Sequence, residues 1–389
     1  MKYIFFLFIF SIMLSKQKAI IFSSRGGAAH QSAAEVIKQD LENLGFDVII
    51  SNILTDVLNK LDPINYISKY GAENFYNYLL KSGWYWSVNQ LADFGIRRLK
   101  VQHDKVVKLI TEFLKQEKAD LVVSVMPIIN SQVSDAAKQI NIPFIVVTVD
   151  FDLSYYFSIK PDYENLFITL PSNDAINLKN FPDKNIFVAG FPIRKSFFEC
   201  KDREKIKKEF NIPDKSVILI MMGGTGSKRA FYFVKKLSAS KNPLHLIVCL
   251  GRNEFLKKKI ENLKLPKNIS VSCLGFTDKI ADLMSISDLL ITKAGPTSLV
   301  EAITMKLPIL IDGTSTFLNW EKINAQLVQK YKIGEIIKNY GYTLKQSEKL
   351  LFDTEYRNQI LGNLENLKLP NFNQLFPSLA NLIIFQKSI

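Results

Sequence analysis

Apolar residues in this chain follow two alternating patterns: short uninterrupted runs, and longer stretches in which they return every three or four positions. The runs read as strands buried on both faces, the stretches as amphipathic helices. Residues 19–24 (AIIFSS) predict a strand and 29–44 a helix; 47–51 is a second strand reached through a turn at Gly45. A helix at about 104–116, the strand DLVVSV, a helix after Ser131 and the strand PFIVVTV ending at Asp150 continue the rhythm. The charged stretch CKDREKIKKEF reads as a linker, after which the alternation restarts with SVILIMM, LHLIVCL, ISVSCLG, DLLIT and PILI, helices between them. Such alternation predicts parallel sheets covered on both faces. Two units of this kind set their strand carboxyl ends across a shared cleft, where open α/β sheets bind ligands.

Two segments depart from the rhythm. Residues 1–18 open with a lysine followed by mostly apolar residues (KYIFFLFIFSIML), the size of a signal-peptide core and short for a bilayer span. No small-x-small cleavage pattern follows, so we expect a membrane-dipping extension, a signal peptide or a start assigned too far upstream. Between the second strand and Asp104 lies an aromatic-rich insert with Tyr66, Tyr70, Phe75, Tyr76, Tyr78, Trp84, Tyr85 and Trp86. It reads either as a helical pair burying its rings in the core or as an apolar acceptor site facing a membrane, where Trp and Tyr suit the headgroup level.

Charge sharpens the choice of partner. Lys and Arg total 50 against 37 Asp and Glu, a formal net charge of +13, which reads either as a sign of an anionic partner or as solvated lysines of a lysine-rich composition. No RNA-recognition, zinc-finger or basic-heptad signature is present, so we expect no nucleic acid and place the surplus toward an anionic membrane surface or phosphorylated ligands. Three scattered cysteines and three histidines without ligand-spaced partners predict neither a disulfide framework nor a metal site.

The candidate chemistry sits in the strand-to-helix turns. RGGAAHQ places Gly26 and Gly27 before His30 at a helix start, where the dipole disfavours a cation and keeps imidazole neutral. That histidine reads as a catalytic group or as an ordinary residue of a tight turn. GGTGSKR places Gly223, Gly224, Thr225 and Gly226 before another helix, a cradle for a diphosphate or simply a change of direction. In LLITKAGPTSLVEAI the strand ends at Lys293, Gly295 turns, Pro296 takes the first helical position, and Glu301 follows. A carboxylate there is placed to accept the hydroxyls of a ribose. Phe276 and Thr277 end a neighbouring strand and offer backbone groups to a base.

GGTG, GFTDKIADLMSISDLLITKAGPTSLVEAITMKLPILI and WEKINAQ together resemble the donor half of family 28 glycosyltransferases. GGAAHQSAAEVI, VVSVMPIINSQV, IPFIVVTVDFD and VAGFPIRKSFF are similar, in order, to segments of the family's diacylglycerol (monogalactosyldiacylglycerol synthase-like) branch. The resemblance implies the GT-B fold, α/β with two Rossmann-like doubly wound domains facing a cleft. It implies an inverting hexosyltransferase that uses a UDP-sugar as donor substrate, no metal and no other cofactor, and a lipid acceptor, diacylglycerol. It divides the chain into 1–18, 19–195 (acceptor-binding), 196–370 (nucleotide-sugar-binding) and 371–389, a final helix packing back on the first domain. It implies a peripheral enzyme on the cytoplasmic side of a membrane.

Residue by residue, it implies catalytic roles for His30 and Asp56, and acceptor contacts from Gly26, Gly27, Trp84 and Trp86. It implies donor contacts from Gly223, Gly224, Thr225, Gly226, Phe276, Thr277, Lys293, Gly295, Pro296, Glu301, Glu321 and Asn324. Two departures stand out. The glutamine of the sugar-contacting segment is Trp320 here, and the family's T-D-x-x-x-H segment reads VDFDLSYYFS, with Tyr155 and Tyr156 but no histidine. An inactive nucleotide- or lipid-binding member, or a UDP-sugar epimerase, would carry the same fold.

Overall fold

A computed structural model describes residues 16–26, 29–61, 71–82, 84–154, 159–175, 182–224 and 226–386. Gly27, Tyr66, Tyr70, Tyr155, Tyr156, Thr225 and the apolar run at 1–15 lie outside the described residues.

The first sheet contains β1 (Lys18–Ser23), β2 (Asp47–Asn52), β3 (Leu121–Ser124), β4 (Phe144–Val147), β5 (Leu166–Leu170) and β6 (Ile186–Val188). All pair in parallel, in the order β2-β1-β3-β4-β5-β6. The second contains β7 (Ser216–Met221), β8 (Leu244–Cys249), β9 (Ile269–Leu274), β10 (Leu289–Thr292), β11 (Ile309–Asp312) and β12 (Gly334–Ile337). Its order is β12-β11-β10-β7-β8-β9, again parallel throughout. The continuous apolar runs of the sequence are these strands, buried on both faces by flanking helices. β5, β6 and β12 are not apparent from the pattern: β6 has only three residues, and GEII in β12 carries a glutamate.

Strand order fixes where ligands can go. In each sheet the chain leaves one strand toward opposite sides at a switch point, between β1 and β3 in the first and between β7 and β10 in the second. The turns carrying His30, Gly223–Gly226 and Lys293–Gly295 all follow strands at these two points.

The helix Phe372–Gln386 lies against the helix Ala29–Asn43 of the first sheet, and Phe372 and Phe376 join the same buried cluster as Ala33 and Val36. The incoming chain crosses so close to Gly190 (φ +95°) that a Cβ there would sit 2.2 Å from the Pro370 carbonyl oxygen. Glycine is required at that crossing.

The aromatic insert forms two helices, Gly71–Ser82 and Tyr85–Val101. The insert is partly buried and partly exposed. Leu79, Tyr85 and Val88 are buried, while Phe75, Tyr78, Trp84, Trp86 and Phe94 are exposed. Among the described residues no helix is long and apolar enough to cross a membrane.

Candidate functional site

β1 delivers the chain to a turn held by side chains. The Ser24 hydroxyl accepts from the Gly26 amide at 2.8 Å and donates to the Glu73 carboxylate at 2.8 Å. Glu73 also accepts from the Arg25 amide at 2.9 Å and from Asn52 Nδ2 at 2.7 Å. One buried carboxylate from the insert thus ties together the ends of β1 and β2. The turn opens the helix Ala29–Asn43, with His30 in its first turn.

His30 Nδ1 lies 2.8 Å from the Val125 carbonyl oxygen, just past β3. A carbonyl only accepts, so Nδ1 carries the proton and Nε2 presents its lone pair. Burial pushes the imidazole below its usual range, opposed by the Val125 bond and the charge of Glu73. The result is a neutral base of defined tautomer spanning the β1/β3 switch point.

His30 lines a cavity of about 230 Å³, otherwise walled largely by apolar side chains including Leu54, Leu58, Leu91, Phe94 and Met126. Ser24, Gly26, Glu73, Tyr76 and Asp150 also line it, and Trp320 enters from the other domain. Arg98 and Gln102 complete its polar lining; a pocket with mostly apolar walls and a few polar groups suits a hydroxyl on a greasy body.

Asp56 does not line this cavity. Its carboxylate accepts from the Asn52 amide at 2.8 Å, the Ser51 hydroxyl at 3.2 Å and the Thr55 hydroxyl at 3.0 Å, closing the local turn after β2. The acids near His30 are instead Glu73 and Asp150, which come from the insert and from the end of β4. Trp84 and Trp86 also fall outside the cavity wall; both are exposed, as hairpin residues facing solvent.

Across the cleft, Gly223 (φ +88°) and Gly226 (φ +69°) adopt left-handed backbone, and a Cβ on Gly226 would strike the Leu250 carbonyl oxygen at 1.9 Å. The helix Arg229–Leu237 follows. Lys293, at the end of β10, reaches over this loop: a Cβ on Gly223 would lie 3.5 Å from Lys293 Cε. Its ammonium pairs with Glu321. Against the desolvation of burial, Glu321, Tyr85 and Asp150 hold Lys293 above its usual range. Asp150, a cavity residue, therefore acts on the lysine that reaches over the glycine loop, so the cavity and that loop adjoin.

Gly295 caps and Pro296 begins the helix Pro296–Thr304, on which Glu301 is buried. Arg194 stands 4.0 Å from Glu301 and donates to the Asp278 carbonyl at 2.6 Å. Burial lifts Glu301 to about 8 despite Arg194. Phe276 projects into solvent with the Arg252 guanidinium over its ring, and the Thr277 hydroxyl accepts from the Lys279 amide at 3.1 Å. Asn324 is fully buried and donates to the Ala294 carbonyl at 2.7 Å, so its amide braces the Lys293–Gly295 turn. Among the described residues no group of three or more His, Cys, Asp or Glu forms a metal site.

Sequence reasoning missed Glu73, Asp150 and the cross-domain role of the hairpin. Tyr85, carried by the insert, lies beneath the Arg229 guanidinium at 4.8 Å, and Arg229 in turn pairs with Asp312 at 3.0 Å. Asn89 and Asn319 exchange hydrogen bonds of 3.2 and 3.4 Å between the domains. Only the density of aromatics in the insert hinted at this.

Known proteins match both halves. Residues 217–355 match the glycosyltransferase family 28 C-terminal domain, and residues 30–193 match monogalactosyldiacylglycerol (MGDG) synthase. The chain is 22% identical over 373 residues to a processive diacylglycerol beta-glucosyltransferase of Bacillus licheniformis, covering 93% of this chain and 94% of that protein. A Bacillus cereus protein of the same description is 25% identical over 386 residues, covering 92% of each. Among solved structures, Acinetobacter baumannii MurG superposes with a TM-score of 0.61 at 15% identity, over 94% of this chain and 98% of that one. The calicheamicin glycosyltransferase CalG4 gives 0.63 at 11% identity, over 96% and 100%. Anabaena Alr3699/HepE, solved with UDP and glucose, gives 0.56 at 11% identity, over 94% and 99%. The resemblance read from the motifs is borne out in both halves, and so is the GT-B fold.

Proposed function

We propose, for a chain whose two halves are those of a family 28 glycosyltransferase of the diacylglycerol branch, that it transfers a hexose with inversion from a UDP-sugar to a membrane lipid, diacylglycerol. The observation that carries this reading is the apolar cavity with His30 at its polar corner, adjoining the Lys293–Glu321 pair of the donor loop. An epimerase has no use for such a cavity.

The lipid lies along the Leu54, Leu58, Leu91 and Met126 walls with its hydroxyl at His30 Nε2. That hydroxyl oxygen attacks the sugar C1 from the face opposite the diphosphate. The C1–O bond to the diphosphate breaks, the hydroxyl proton passes to Nε2, and UDP leaves with the bond's electron pair. The charge on the diphosphate is met by the amides of the 223–226 loop, the amino end of the helix Arg229–Leu237 and Lys293. Glu301 accepts from the ribose hydroxyls, the backbone at Phe276 and Thr277 meets the base, and Glu321 meets sugar hydroxyls. Glu73 fixes the turn and favours the imidazolium that forms. Asn324 acts by holding the turn.

Residues 19–195 bind the acceptor and 196–370 the nucleotide sugar. Phe75, Tyr78, Trp84 and Trp86 on the exposed hairpin, together with the basic surplus, support peripheral docking on an anionic membrane surface at its cytoplasmic side, where the lipid enters.

The test is sugar transfer from UDP-glucose and UDP-galactose to diacylglycerol in vesicles. Folded His30→Ala should lose a factor of about 10² to 10⁴ in kcat, and Glu301→Ala should raise the donor KM. Full activity in both variants would remove the residue assignments; UDP binding without transfer would establish an inactive member.

A further inference from the structure

Trp320 belongs to the donor domain by sequence and to the acceptor cavity by position. It lies in the single turn Asn319–Glu321. Its neighbours on either side face different ways: Glu321 pairs with Lys293 over the diphosphate loop, while Asn319 bonds to Asn89 of the hairpin. The indole between them lines the cavity that holds His30 and packs with Tyr76, Leu80 and Leu91 against the buried Leu79, Tyr85, Val88 and Leu318. One turn therefore contributes a carboxylate to the donor side and an aromatic wall to the acceptor side.

We propose that Trp320 selects the acceptor, admitting a lipid with a bare glycerol hydroxyl and excluding one that already carries a sugar. This rests on the transfer reading above. Indole offers one N–H and no acceptor, whereas a hexose entering beside it would bring several hydroxyls against a ring and leucine side chains. Of the polar groups that line the cavity, Ser24 and Glu73 are engaged with each other, and Glu73 also holds Arg25 and Asn52; Tyr76, Gln102 and Asp150 also line it. Arg98, on the hairpin wall, has its Nε on the Leu61 carbonyl. A bare glycerol hydroxyl needs only His30; its acyl chains want the apolar wall that Trp320 extends. A hydrophobic surface rejects added hydroxyls by a factor of about 10². Because the indole arrives with the donor domain, the acceptor wall is complete only when the two domains meet.

The experiment uses the full chain, UDP-glucose and UDP-galactose, and phosphatidylcholine vesicles made anionic with phosphatidylglycerol and holding either diacylglycerol or monohexosyl diacylglycerol. The wild type should prefer diacylglycerol by about 10² in kcat/KM. Trp320→Gln, which installs the amide of the resembling segment, should narrow that ratio at least tenfold by gaining on the glycolipid and raising the KM for diacylglycerol, the ratio being compared at saturating UDP-sugar. Equal use of both lipids by the wild type, or an unaltered ratio in Trp320→Gln, overturns the proposal while transfer to diacylglycerol stands. No transfer to either lipid removes the reading beneath it. Contact is read separately in a Trp84→Phe, Trp86→Phe protein, in which Trp320 is the remaining tryptophan of three. Diacylglycerol with a dibrominated acyl chain should quench its emission relative to the unbrominated lipid; undiminished emission overturns the proposal even if Trp320→Gln does not fold.

Discussion

Glu301→Gln tests, through stability and before any ligand is added, whether burial keeps this carboxyl protonated. The carboxyl is 5% exposed, on a helix packed into the second sheet, with the Arg194 guanidinium 4.0 Å away. Burial outweighs that attraction and moves the carboxyl from 4.5 in the unfolded chain to about 8 in the fold. The sign follows from proton counting. Between those two values the folded state keeps a proton that the unfolded state has released, so stability is fullest below pH 4.5 and falls as pH rises toward 8. At about 1.4 kcal/mol per pH unit the gap amounts to on the order of 4–5 kcal/mol, complete by pH 8. Glutamine keeps the shape and cannot ionise. Urea unfolding should therefore find the two proteins similar near pH 5 and the variant more stable by several kcal/mol at pH 8, while its affinity for UDP is weaker. Parallel stability profiles from pH 5 to 8 would refute the reasoning, because they would require Glu301 to be ionised in the fold already.

Other expectations follow from named contacts. Glu73→Gln removes the charge that raises His30, so the acidic limb of the kcat/KM profile should move to lower pH; an unmoved limb would assign Glu73 to the turn alone. Lys293→Met should lower kcat by about 10²-fold with the fold retained, since it removes a cation beside the leaving diphosphate; an unchanged kcat would place the leaving group elsewhere. Gly226→Ala combines left-handed backbone with a Cβ 1.9 Å from the Leu250 oxygen, and urea unfolding should show a loss of at least about 1–3 kcal/mol.

How much was legible depends on how far apart the cooperating residues lie in the chain. The strand-to-helix turns of the second sheet could be read directly, because strand, glycine, helix start and Glu301 follow one another within one segment and each local preference agrees with the next. Asp56 shows the limit of that reading. Chain order places it after the second strand, where an acid is expected, yet its three nearest donors are Ser51, Asn52 and Thr55, and a carboxylate so engaged stays with its own turn.

The sequence by itself determined two doubly wound sheets, glycine turns at the ends of their first strands, and the strand-to-helix turn in the second that bears Lys293 and Glu301. Apolar runs specify buried parallel strands, and glycines mark the backbone that side chains cannot adopt. Only the tertiary structure decided what surrounds His30. Its tautomer depends on Val125, its electrostatics on Glu73, and its cavity on a hairpin half exposed and half buried. The last wall, Trp320, comes from the other domain. No periodicity encodes such contacts, because they arise where separately folded surfaces meet, and there burial and hydrogen bonding act between residues the chain keeps far apart.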